Sequence, residues 1–174
     1  QSYFDLIVGT STGGIIALAL GAGLSATQIL SFYENKGPII FANSRVIPWL
    51  KSFFFGKYGA EQLRGALDET FGGKLLGHST VRLVIPSQNL ETGEVHLFKT
   101  SHHQRFTIDY KVPMAEVALA TSAAPSYFPT HRLPVGTPLI DGGIWANNPA
   151  GVAAVEAIGV LGWQRGDVIM LSLG

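Results

Sequence analysis

At 174 residues, 47% apolar and 14% charged, the chain is long enough for one domain with a substantial core. It carries far less charge than the roughly 25% of an average globular protein. Twelve basic residues balance twelve acidic ones, which argues against a nucleic-acid polymer as partner. The absence of cysteine excludes disulfides, thiolate metal sites and a cysteine nucleophile, and fits a reducing, cytoplasmic setting.

Phe4 to Val8 reads as a buried strand that begins abruptly, and it leads into Gly9-Thr10-Ser11-Thr12-Gly13. That G-x-S-x-G turn lies between a strand and the apolar helix expected over Thr12 to Ala22. A serine at the tip of such a turn has a strained backbone and needs very small neighbours, because strand and helix pass close on either side. Gly9 and Gly13 are expected to meet that need. The free N–H groups of the helix start point back at the turn, so the Thr12 N–H is placed to stabilise an oxyanion beside Ser11.

Leu6 to Tyr33 contains no charged residue and is long enough to raise a membrane span. Its glycines, the Thr-Ser-Thr turn and Ser25-Ala26-Thr27-Gln28 divide it instead into strand, helix and the start of a second helix. Ser25 and Gln28 form a capping box for that second helix, expected to run to about Asn35 and to end at Gly37-Pro38. Residues 39 to 58 mix Phe41, Trp49, Phe53, Phe54 and Phe55 with Arg45, Lys51 and Lys57. Both a lipid-facing lid and ordinary packing of an irregular segment suit that composition.

A helix is expected from Ala60 to Phe71, with Leu63, Leu67 and Phe71 on one face and Gly72-Gly73 as its stop. Val81 to Pro86 reads as a strand, and Gln88 to Leu90 and Glu94 to Phe98 flank Thr92-Gly93 as a hairpin. Pro113 to Thr121 reads as a short helix, and Thr137 to Ile140 as a strand entering Asp141-Gly142-Gly143. Pro149 to Leu161 is expected as a buried alanine-rich helix and Val168 to Leu173 as a last strand. The alternation predicts an α/β domain, a three-layer sandwich around a mostly parallel central sheet.

A serine hydroxyl needs a base. The α/β-hydrolase order of Ser, then Asp or Glu, then His fails for Asp141, because the last histidine is His131. A reordered Ser-His-Asp site using His78, His96, His102, His103 or His131 stays open, although none of them sits in a small-residue turn. Asp141 does: it leaves a buried strand into two glycines, at the sheet edge where open α/β folds bind ligands. Capping of a turn is the competing role for it. A phosphate-cradling nucleotide module is a weaker reading, since G-x-G-x-x-G fails at Ser11.

Gly9-Thr10-Ser11-Thr12-Gly13-Gly14, the segment Thr121-Ser122-Ala123-Ala124-Pro125-Ser126-Tyr127-Phe128-Pro129, and Asp141-Gly142-Gly143 followed by Asn147-Asn148-Pro149 together resemble the patatin-like phospholipases. The resemblance runs along the whole chain and is closest to the bacterial members. It implies a lipid acyl hydrolase with a Ser-Asp dyad, in which Ser11 is the nucleophile and Asp141 the base. It further implies a phospholipid or other acyl-lipid substrate, peripheral membrane contact, a homo-oligomer and a cyclic-nucleotide activator, with no cofactor or metal. Ser122 and Tyr127 to Pro129 are expected to wall the site, with structural packing the competing and favoured role for each taken singly. The family's Asp-Gly-Gly-Gly-x-Arg-Gly oxyanion loop has no match in residues 1 to 8, so the chain is expected to be incomplete at both ends. A silent lipid- or partner-binding domain is the alternative that this departure raises.

Overall fold

The computed structural model describes residues 3–41 and 52–173. Strand β1 (Leu6–Val8) turns into helix α1 (Thr12–Gly21), followed by α2 (Ala26–Phe41) and α3 (Ser52–Phe71). Next come β2 (Arg82–Asn89), β3 (Val95–Lys99) and α4 (Met114–Thr121). The chain continues through β4 (His131–Arg132), β5 (Pro138–Asp141), α5 (Gly143–Ala146) and α6 (Ala150–Ala154). No helix among the described residues is long and apolar enough to cross a membrane, and Leu6 to Tyr33 divides into β1, α1 and the start of α2, as its polar interruptions require.

The α/β layering expected from the alternation is present, around a mixed sheet. β1 pairs with β2 in parallel, whereas β2–β3, β2–β5 and β4–β5 run antiparallel. The register of β2 fixes the site. Val84 pairs with Val8 of β1 and with Lys99 of β3, and Ser87 pairs with His96 of β3 and with Asp141 of β5. A strand has two edges, so β3 takes one and β1 and β5 share the other. β1 runs towards Val84 and β5 runs back towards Ser87, so their carboxyl ends meet tip to tip beside Ile85 and Pro86.

That junction explains a proline in mid-strand. Pro86 was expected to end a strand, yet β2 continues through it to Asn89. Alternate residues of a strand direct N–H and C=O to the same edge, and the Val84 carbonyl accepts the Gly9 N–H on the β1 side. Pro86 therefore faces the gap between β1 and β5, where no ladder bond needs the N–H it lacks.

Helices α1 to α4 cover one face. Leu18, Leu67, Leu83, Ile85, Phe98 and Val117 are among the fully buried residues of the core on that side, each contributing about 1.5–3 kcal/mol by leaving water. The capping box forms as expected: Ser25 N donates to Gln28 Oε1 at 2.8 Å and Gln28 N to Ser25 Oγ at 3.2 Å. Helix α2 does not stop at Gly37-Pro38 but carries Pro38 inside it. Proline there removes one helical hydrogen bond, and the buried Ile40 beyond it joins the core, which offsets that loss. Helix α3 begins earlier than Ala60. Of residues 39 to 58, whose composition suits a lid and ordinary packing alike, 42–51 lie outside the described residues.

The opposite face is covered more thinly. Helix α6 is not the buried helix expected over Pro149 to Leu161: it is half-exposed and passes into a π-turn over Val155–Val160. The turn carries Glu156, 2% exposed, to Lys99 Nζ at 2.5 Å and His102 Nε2 at 2.8 Å. Val168 to Leu173 is not a strand; it is irregular, with Ile169, Leu171 and Leu173 exposed.

Candidate active site

Ser11 sits between β1 and α1 with φ 56° and ψ −125°, a left-handed backbone that a non-glycine residue adopts at a cost of about 1–3 kcal/mol. Although it is the N-cap of α1, its side chain makes no capping bond. Its Oγ instead donates to Asp141 Oδ2 at 2.5 Å, across 130 positions of sequence.

Asp141 closes β5 and is 5% exposed. Its N–H donates to the Ala123 carbonyl at 3.0 Å, and its Oδ1 accepts the Gly143 N–H at 2.7 Å. The turn-capping role weighed for this aspartate is thus carried by one oxygen, while the other faces the serine. It makes no ion pair among the described residues, so its two partners are one N–H and one O–H.

Small residues are required at some motif positions and not at others. A Cβ at Gly9 would lie 2.2 Å from the Gly13 carbonyl oxygen, and one at Gly14 would lie 2.8 Å from Thr121 Cγ2. A Cβ at Gly13 would meet nothing within 4 Å. The close packing expected at Gly13 therefore falls on Gly14. Thr10 is buried with its Oγ1 unpartnered among the described residues.

Thr12 is the first residue of α1, where helical N–H groups have no intrahelical acceptor. Its carbonyl accepts from the Tyr33 hydroxyl at 3.2 Å. Burial pushes the Tyr33 phenol well above its usual range, so it remains a donor at neutral pH.

Thr121 was not singled out from the sequence. Its Oγ1 accepts the Ser11 N–H at 3.0 Å and donates to the Pro86 carbonyl at 2.6 Å. The signal available was its place at the head of the Thr-Ser-Ala-Ala-Pro segment, of which only Ser122 drew attention. The Ser122 hydroxyl is turned back onto Ala118 O at 2.6 Å. Ser122, Phe128 and Pro129 line a cavity of about 240 Å³ between α3 and α4, with Arg64 and His131 also on its wall.

The histidines are engaged elsewhere. His131 Nε2 meets Glu116 Oε2 at 2.8 Å, His102 meets Glu156, and His96 stands 3.7 Å from Asp109. His78 and His103 accept backbone N–H groups of Leu75 and Arg105 at 3.2 Å. None of them hydrogen-bonds Ser11 or Asp141 among the described residues.

A strained serine between strand and helix, hydrogen-bonded to a buried carboxylate, has the geometry of an α/β serine-nucleophile site. The patatin-like phospholipase family model matches residues 1–154, and the chain belongs to that family. It is 39% identical over 149 residues to a cGAMP-activated phospholipase of Pseudomonas aeruginosa, covering 85% of this chain and 44% of that protein. A cGAMP-activated phospholipase of Escherichia coli is 38% identical over 157 residues, covering 88% of this chain and 44% of its own length. Patatin-like protein 4 of Arabidopsis thaliana is 32% identical over 164 residues, with 84% and 40% covered. The chain therefore spans less than half the length of these relatives. The crystal structure of VipD from Legionella pneumophila shares the fold, with a TM-score of 0.53 at 13% identity, over 80% of this chain and 40% of VipD.

Proposed function

We propose that the chain is the catalytic part of a serine lipid acyl hydrolase of phospholipase A type. The observation that carries this reading is the 2.5 Å hydrogen bond from Ser11 Oγ to Asp141 Oδ2. Asp141 accepts the Ser11 proton as Oγ attacks the ester carbonyl carbon of a glycerolipid. The carbonyl oxygen becomes an oxyanion, towards which the Thr12 N–H is directed. When the tetrahedral centre collapses, the proton on Asp141 passes to the leaving lysolipid oxygen, and the acyl group stays on Ser11. Asp141 then takes a proton from water as the water oxygen attacks the acyl carbon, the acyl–Oγ bond breaks, Asp141 returns that proton to Ser11 Oγ, and the fatty acid leaves.

An acyl substrate suits the surroundings. Ile144, 53% exposed, and Trp145, 37% exposed, follow directly after Gly143 in the chain, so exposed apolar side chains lie within four residues of Asp141 in sequence. The bacterial relatives are named for activation by cGAMP, and for the whole protein we propose a cyclic-nucleotide activator and contact with a lipid surface.

Fluorophosphonate capture combined with short-chain ester hydrolysis tests the reading. Label is expected on Ser11, with none on the Ser11→Ala variant. Asp141→Asn is expected to lower turnover about 10²–10⁴-fold, the range for removing a general base. Labelling elsewhere, or a fully active Asp141→Asn, would reject it.

A further inference from the structure

Thr121 ends α4, is fully buried, and touches the backbone of the serine turn. A carbonyl oxygen only accepts, so the hydroxyl hydrogen of Thr121 is committed to Pro86 O at 2.6 Å. Its lone pairs are then left for the Ser11 N–H at 3.0 Å. The absent side chain of Gly14 makes the room, since a Cβ there would stand 2.8 Å from Thr121 Cγ2. Thr121 thereby links the serine turn after β1 to Pro86 of β2, beside the junction of the two strand tips.

We infer that Thr121 is a positioning residue for Ser11: its hydroxyl, anchored on Pro86, holds the strained Ser11 backbone so that Oγ faces Asp141, and it withholds the Ser11 N–H from the oxyanion. The inference rests on the proposed nucleophilic role of Ser11. It adds a division of labour between two successive amides, because the Ser11 N–H is spent on the scaffold and oxyanion duty falls to the Thr12 N–H. A threonine hydroxyl in a helix can bond back to a carbonyl of its own helix, as the Ser122 hydroxyl next to Thr121 does to Ala118 O. Thr121 bonds a strand instead, and that is what links α4 to the turn.

The test uses the protein with whatever flanking segments it naturally carries, and compares Thr121→Val, Thr121→Ser and Thr121→Ala. Valine keeps the shape and loses the hydroxyl; serine keeps the hydroxyl and loses a packed methyl. Misplacing a reacting group by about 1 Å costs up to about a hundredfold, so valine and alanine are expected to lower kcat by up to that factor with KM unchanged. The rate of fluorophosphonate capture at Ser11 is expected to fall in parallel. Serine is expected to stay close to the wild-type kcat even though its melting temperature drops. A purely structural role predicts the reverse, with rate following stability.

Wild-type turnover in Thr121→Val, or a Thr121→Ser rate as low as that of valine, would overturn the inference. If valine and alanine do not fold, hydrogen exchange at the Ser11 amide of the unaltered protein decides: slow exchange supports the bond to a buried acceptor, and exchange as fast as an exposed turn overturns it. A wild type that fluorophosphonate does not label defeats the serine-hydrolase reading itself, before any Thr121 variant is compared, and the inference goes with it.

Discussion

Gly142 lies directly against Pro86: a Cβ on Gly142 would stand 2.4 Å from the Pro86 carbonyl oxygen and 2.9 Å from its Cβ. Both contacts are to a rigid strand. Gly142→Ala must part β5 from β2, and is expected to destabilise by about 1–3 kcal/mol or more. Gly13→Ala meets open space in the first turn of α1, and alanine is the better helix former by up to about 1 kcal/mol. It is expected to hold or raise stability. Urea denaturation checks both, and a Gly142→Ala protein as stable as wild type would refute the close junction.

Glu156 is the buried counter-charge of Lys99, with His102 on its other oxygen. The Lys99 ammonium also lies 4.5 Å from the Phe106 ring centroid. Removing the carboxylate leaves a cation in a desolvated site, and breaking one partner of such a pair costs about 3–5 kcal/mol. Glu156→Ala is therefore expected to unfold at much lower urea. An exposed pair gives about 0–1 kcal/mol, and a loss that small would show that the π-turn does not bury this charge.

Acidification should weaken the fold. Burial lowers the pKa of His102 and His131 against the pull of Glu156 and Glu116 respectively, and lowers that of His96 against Asp109. A histidine with a lowered folded pKa takes its proton more readily when unfolded. Its stabilising contribution is complete above the unfolded value of about 6.5 and declines as pH falls towards the folded value. Burial works to raise the Glu116 carboxyl, but the Arg64 hydrogen bond and the His131 charge hold it lower overall. Its contribution is present above the ordinary carboxylate range and is lost as pH falls through its folded pKa. Asp109 acts the other way: burial raises it, so its contribution belongs to low pH and is lost as pH rises through its folded value. Between about pH 7.5 and about pH 5.5 the histidines dominate, and the melting temperature is expected to fall. His131→Gln should flatten that fall, and a melting temperature that rises on acidification would contradict the assignment.

Much of the site was legible because each half advertises itself locally. Ser11 and Asp141 both leave buried strands into glycine-bearing turns, and the Ser25–Gln28 capping box needs only two residues and their spacing. Their meeting was not legible from local pattern, since it depends on β1 and β5 sharing one edge of β2, and the pairing of Ser11 with Asp141 came from resemblance. Thr121 escaped notice because its bonds run to a turn 110 positions away and to a strand, and nothing in a Thr-Ser pair tells which hydroxyl turns outward. The run Val168 to Leu173 misled for a related reason: an apolar stretch states a preference for a sheet without naming an edge to join. Pro38 and Pro86 misled oppositely, each continuing an element because its missing N–H is offset by burial in one case and faces a gap in the other.

The spacing between Ser11 and Asp141 is measured out by β2, a strand that contributes no reacting atom. The count from Val84 to Ser87 separates the tip of β1 from the tip of β5. Two residues added within that count would keep β5 on the same edge and move the tips apart by about 6.6 Å, leaving both glycine turns intact and out of each other's reach. A chain can therefore carry both motifs letter for letter and still lack the pair; whether they meet is decided by the ruler between them.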